Sequence, residues 1–138
     1  MAANTAPIFV KVVKSDFVQS GTAANTAYDG TGTVATVMTA NAVDGSFVKR
    51  LIIKPLGTNV LTVMRIFLNN GATNATAANN ALIKEITLPA TTASQIAALP
   101  DYELPLNLML EAGHKINITI GTAVAAGFSV TAEGGDYA

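Results

Sequence analysis

The chain has 138 residues with no Cys, no Trp and a single His, which closes off disulfides, thiolate metal sites, Cys nucleophiles and any His pair within one copy. Its net charge of −1 gives no general attraction to nucleic acid or to an anionic membrane, so neither is expected as a partner. Charged residues are 12% of the chain, well under the roughly 25% usual for soluble domains, so part of the surface is expected to meet another protein.

Met1 to Pro7 is small and polar and reads as an N-terminal arm with no packing of its own; residues 8–138 read as one domain. The first positive side chain is Lys11 and no apolar stretch follows a basic segment, so no secretory signal is expected. Ile8 to Val13 alternates as a strand, and Gln19 to Thr33, with Gly21, Gly30 and Gly32, is a loop of unusual length. Val34 to Met38 is a short strand, Asn41 to Gly45 a turn, and Ser46 to Lys54 a strand that enters a central pair.

That pair organises the rest. Leu51-Ile52-Ile53 is followed by the turn Pro55 to Asn59 and by an apolar strand from Val60 to Leu68. In the second strand both faces are largely apolar, with Arg65 the one charge, and a strand with two greasy faces lies covered on both sides. It is expected to be a central strand, stopped by Asn69-Asn70-Gly71.

Asn69 to Asn80 is an uncharged polar loop, and Leu82 to Leu88 a strand closed by Pro89. Ala90 to Leu99, flanked by Pro89 and Pro100, is expected to be extended. Leu104, Leu106, Leu108 and Leu110 share one strand face; Pro105 on the other cannot donate to a ladder, which places this strand at an edge or at a bulge. After the turn Glu111 to His114, Ile116, Ile118 and Ile120 oppose Lys115, Asn117 and Thr119 in a half-buried strand. Phe128, Val130 and Ala132 point inward from the last strand, before a Gly134-Gly135 tail. About eight strands and no amphipathic helix make an all-β, single-domain β-sandwich, jelly-roll-like because several connections are long.

No residue set carries chemistry. His114 lies in a turn, no Gly-x-Ser-x-Gly surrounds any Ser, and Asp101 with Glu103 reads as a pair of solvent-facing charges. Gly121 to Gly127 lacks the Lys-Ser/Thr of a phosphate loop. No enzyme, metal or cofactor is expected. Charge is segregated: seven bases against three acids up to Lys84, then six acids against Lys115 alone. Lys49, Arg50, Lys54 and Arg65 are therefore candidates for self-association, unless the segregation vanishes when the chain folds.

Arg65-Ile66-Phe67-Leu68-Asn69-Asn70-Gly71, Thr76-Ala77-Ala78-Asn79-Asn80, Glu85 to Ser94, Gly121 to Gly127 and Gly134-Gly135-Asp136-Tyr137 resemble small virion structural proteins of tailed bacteriophages. The resemblance covers about half of the chain, from Arg65 to Tyr137, and residues 1–50 have no part in it. It implies a head decoration, or cement, protein on the outer capsid surface, assembled in the host cytoplasm, that binds the major capsid protein and itself as a homotrimer or other homo-oligomer. An arm that orders on a partner fits this role, which makes Ala2, Ala3, Asn4, Thr5, Ala6 and Pro7 candidates for capsid contact. The alternative is a tail- or fibre-associated module that binds a receptor or glycan, against which stands the lack of Trp platforms.

Overall fold

The computed structural model describes residues 9–137. Eight strands form two four-stranded antiparallel sheets: β1 (Val12–Gln19), β2 (Ala35–Thr39), β3 (Ser46–Pro55), β4 (Thr62–Asn69), β5 (Asn80–Leu88), β6 (Tyr102–Leu110), β7 (Lys115–Ile120) and β8 (Phe128–Asp136). Sheet A runs β1-β8-β3-β6 and sheet B runs β2-β7-β4-β5. The pairs β1 with β8, β2 with β7, β3 with β6 and β4 with β5 are those of one long hairpin whose tip is the β4–β5 connection. Rolled up, the hairpin gains the contacts β3 with β8 and β4 with β7, which close the two sheets. This is the jelly roll, in which every sequence neighbour along the first half lies in the opposite sheet.

The core lies between the sheets. Val48, Leu51 and Ile53 of β3 and Phe128, Val130 and Ala132 of β8 face Met64 and Ile66 of β4 and Ile116, Ile118 and Ile120 of β7. Period-two alternation produces this wherever one sheet face is open: β6 keeps Leu104, Leu106, Leu108 and Leu110 inward while Glu103, Pro105, Asn107 and Met109 are exposed. β6 is an edge strand and carries an irregularity opposite Val48 and Arg50, as Pro105 requires.

Four expectations are corrected. Leu51 to Asn70 is no pair of neighbours: β3 belongs to sheet A and β4 to sheet B, and the connection between them crosses the sandwich. The buried Asn59 side chain draws it across, accepting from the N–H groups of Ala126 and Gly127 at 2.9 Å each and donating to the Gly127 carbonyl at 3.0 Å. The first strand begins at Val12 and continues through Lys14 and Asp16 to Gln19; of the expected Ile8 to Val13, Ile8 lies outside the described residues. β7 is buried from Ile116 to Ile120 on both faces rather than half-buried. Gly134 and Gly135 are no tail: both lie within β8, where β1 and β3 press from either side. The arm, Met1 to Pro7, lies outside the described residues.

Candidate interaction surfaces

Sheets A and B treat their outer faces differently, and the difference defines the surfaces. Over sheet B the long β1–β2 loop folds down as a flap. Its Tyr28 ring lies on the Arg65 guanidinium, 4.0 Å from centroid to Cζ, and Arg65 Nε donates to Glu85 at 2.9 Å. Asparagine amides fasten the flap: Asn25 to the carbonyls of Thr31 and Thr33, Asn74 to those of Gly30 and Gly32, and Asn80 to that of Asp29. Each amide offers two donors to chain that has no strand neighbour, which is a physical use for an Asn-rich composition. Beneath it Phe67, Asn117 and Thr119 are buried, so β4 is covered on both faces as its sequence implies.

Among the described residues no loop of this kind lies over sheet A. Register places Val13, Gly135, Phe47 and Met109 in one row across all four strands, and Phe17, Thr131, Ile52 and Glu103 in another. Val13 is 88% exposed, and Phe17 and Met109 are each 75% exposed. Val10 crosses Gly135, where a side chain on the glycine would meet it. Between the two rows Arg50 binds Glu133 through Nε and Glu103 at 3.2 Å, and beyond the second Lys54 reaches Asp101 at 2.7 Å and the Leu99 carbonyl at 2.8 Å. The hydrogen bond and charge from Arg50 hold the Glu133 carboxyl below its ordinary 4.5, and Glu133 in turn raises Arg50.

These pairs locate the sequence candidates. Arg50 and Lys54 lie on the open face, each engaged with an acid of the same chain, and Lys49 is exposed beside them. Arg65 lies on the other sheet, 6% exposed under Tyr28, and is not part of that surface. Antiparallel pairing of β3 with β6 and β8, and of β4 with β5, brings the basic half of the chain onto the acidic half. Much of the linear charge segregation is thereby consumed within one copy.

No protein-family model, curated protein or solved structure matches this chain.

Two further regions are open. At the end of the sandwich that carries the β3–β4 and β5–β6 loops, Leu56, Val60, Leu61 and the 98% exposed Ile96 project, the two loops being tied by the Asn59–Thr91 bridge and by Ala93 N–H to Thr58 Oγ1 at 3.0 Å. A cleft of about 650 Å³ lies under the first part of the flap, lined by Ser20, Thr22, Asn25 and Thr33 with Thr119 on its floor. His114 stays in the β6–β7 turn, 3.6 Å from Glu111, and among the described residues no three His, Cys, Asp or Glu converge as metal ligands would. The open apolar rows were not foreseen from the sequence: Val13 and Phe17 alternate with Ser15, but Lys14 and Asp16 between them mask the strand.

Proposed function

We propose that this chain is a virion structural protein that decorates the outer surface of a tailed-phage head, binding the major capsid protein and itself. The observation that carries the reading is the open face of sheet A, where Val13, Gly135, Phe47 and Met109 form a row across all four strands beside Arg50 and Lys54, whose charges are already paired. A flat apolar row with neutralised charges suits contact with a large, fixed surface, where many copies make weak single contacts sufficient. The jelly roll is in keeping with this, being a fold of capsid and lectin domains, although a fold alone assigns no function. The resemblance of the stretch from Arg65 onward to small phage virion proteins supports a phage head as that surface.

The test is cosedimentation of the full chain with heads of its phage stripped of accessory proteins, followed by imaging of the particles. Saturable binding weakened by Met109→Lys or by deletion of residues 1–7, with density on the head, supports the reading. Failure to bind heads, or density confined to the tail, overturns it. The second reading, a tail-associated glycan binder, is favoured by the cleft lined by hydroxyl and amide groups under the flap, and specific signals on a glycan array would select it.

A further inference from the structure

A sheet edge is a row of unpaired backbone donors and acceptors, and proteins ordinarily blunt it with bulges, prolines or brevity. Three of the four edges here are blunted. β6 carries Pro105, a broken register and Asn107 at a φ of 46°. β2 has five residues with Val37 as the extra residue of a bulge, and β5 has Ile83 as one. β1 alone is unbroken, with all eight residues from Val12 to Gln19 in continuous register against β8.

Among the described residues the free side of β1 is also open, with the Lys14 ammonium reaching across it to the Thr39 carbonyl at 2.7 Å. Ser20 N–H donates to the Phe128 carbonyl at 2.8 Å, and the register holds from there to Val12. Since hydrogen-bonded pairs alternate along an antiparallel ladder, the even-numbered residues of β1 bond to β8, and the N–H and C=O groups of Val13, Ser15, Phe17 and Gln19 point away from it. A cleft of about 460 Å³ runs along that side, between Lys14–Phe17 and Thr36–Thr39.

We infer that β1 is the interface with a second copy of this chain, joined antiparallel about a two-fold axis through Ser15. The strand's own sequence selects the occupant and the register. With Ser15 opposite Ser15 of the second copy, Val13 meets Phe17, Val12 meets Val18 and Lys14 meets Asp16, each twice by symmetry. Val13 and Phe17, the two most exposed large apolar side chains of β1, cover one another on the outer face, while the opposite charges pair on the inner one. Moving the axis by one residue either way sets Lys14 against Lys14 or Asp16 against Asp16, which disfavours both alternatives. The chosen register joins odd residue to odd residue, the set whose backbone groups are free, and forms about six new backbone hydrogen bonds. Sheet A then continues across both copies as one eight-stranded sheet with its outer faces side by side.

The experiment uses the full chain in solution, with no shell present, so that its result is independent of the capsid reading. Sedimentation across a concentration series yields a monomer–dimer equilibrium, and Ser15→Pro weakens dimerisation by about tenfold or more while the circular dichroism spectrum is unchanged, because the Ser15 N–H is outside the β1–β8 ladder. Because the protein has no Cys, Ser15→Cys is a clean probe: hydrogen-bonded antiparallel partners have Cα atoms about 5.5 Å apart, within disulfide reach, so mild oxidation links two copies. Thr87→Cys, on the outer side of the bulged β5, is the control. Concentration-independent monomers, or oligomers in which Ser15→Cys links no faster than Thr87→Cys, overturn the proposal. Lys14→Asp and Asp16→Lys singly reduce dimerisation, and the double swap restores it; a double swap as weak as the singles also overturns it.

Discussion

A Cβ added to Gly134 would lie 1.9 Å from the Phe47 carbonyl oxygen, so β3 and β8 approach one another there as only a glycine allows. The obstacle is backbone on a central strand pair, next to the β3 irregularity between Val48 and Arg50, and it cannot swing aside as a side chain does. Gly134→Ala is therefore expected to destabilise by about 3 kcal/mol or more, through displacement of the strands rather than through backbone strain. Gly113→Ala is the contrast: nothing lies within 4 Å of its would-be Cβ, and only its φ of 76° in the turn after β6 resists, for a loss of about 1 kcal/mol. Urea unfolding of the two variants separates these mechanisms, and equal losses would contradict the crowding argument.

The flap over sheet B has its own energetic centre. Arg65 is held by Glu85 through Nε, by the Tyr28 ring above it, and by room left at Gly121, whose Cβ would come within 3.1 Å of Nη1. Arg65→Ala removes the cation, its stem and the partner of Glu85, and is expected to lose about 2–3 kcal/mol, less than a fully buried pair because Glu85 remains half exposed. Tyr28→Ala is expected to lose about 1 kcal/mol. In a double-mutant cycle the two losses couple by about 0.5–2 kcal/mol, and strict additivity would mean that the flap is held by its asparagines alone.

How much of this was legible follows from where each residue's cover comes from. The inward leucines of β6 and the inward Phe128, Val130 and Ala132 of β8 are written as alternation, because the open face of sheet A leaves their neighbours in solvent. Pro105 announced an edge by its missing N–H. Asn117 and Thr119 read as solvent-facing because the chain beside them is far away in sequence, beyond any local pattern: the Thr36 hydroxyl donates to Asn117, and the stretch from Gln19 to Thr26 shares a cleft with Thr119. The sheet change between β3 and β4 was hidden for the same reason, since Asn59 acts on Gly127 from the far side of the chain. Lys14 and Asp16 concealed β1 because Lys14 meets both Asp16 and Asp136 at the margin of the sandwich rather than standing in open solvent. The charge segregation could not say where the complement lay; Arg50, Lys54 and Arg65 find acids within the same copy.

Acid weakens the fold through Glu133 and Asp29. Both carboxyls have pKa values lowered on folding, Glu133 by its bond to Arg50 and Asp29 by the Thr31 hydroxyl and N–H at 2.6 and 3.1 Å. A lowered folded value means that the unfolded chain takes up its proton first, so the stabilisation is full above the ordinary values of 4.5 and 3.8 and fades as pH falls through the lower folded ones. Both groups are exposed, so the effect is small and is screened further by salt. Urea midpoints are expected to fall between about pH 6 and pH 3, and Glu133→Gln flattens that fall at low salt. A Glu133→Gln profile parallel to the parent's would remove this pair from the cause.

Thr119 provides the sharpest test of the flap's interior. It is paired in register with Arg65, it is buried, and neither its Oγ1 nor Arg65 Nη1 finds a hydrogen-bond partner among the described residues. A buried hydroxyl without a partner loses its hydration and gains nothing in return, so its presence opposes folding. Thr119→Val keeps the β-branched shape that suits the centre of β7 while replacing the hydroxyl with a methyl group. The variant is expected to be more stable than the parent by about 1 kcal/mol, the reverse of what substitution of a hydrogen-bonded core threonine produces. Thr62→Val is that opposite case, since Thr62 Oγ1 accepts from Thr122 N–H at 3.1 Å and donates to its carbonyl at 3.2 Å, and it is expected to lose about 1–2 kcal/mol. Opposite signs for the two substitutions in urea unfolding would establish that the Thr119 hydroxyl is unsatisfied under the flap. A loss in both would mean that the Thr119 hydroxyl is satisfied in solution.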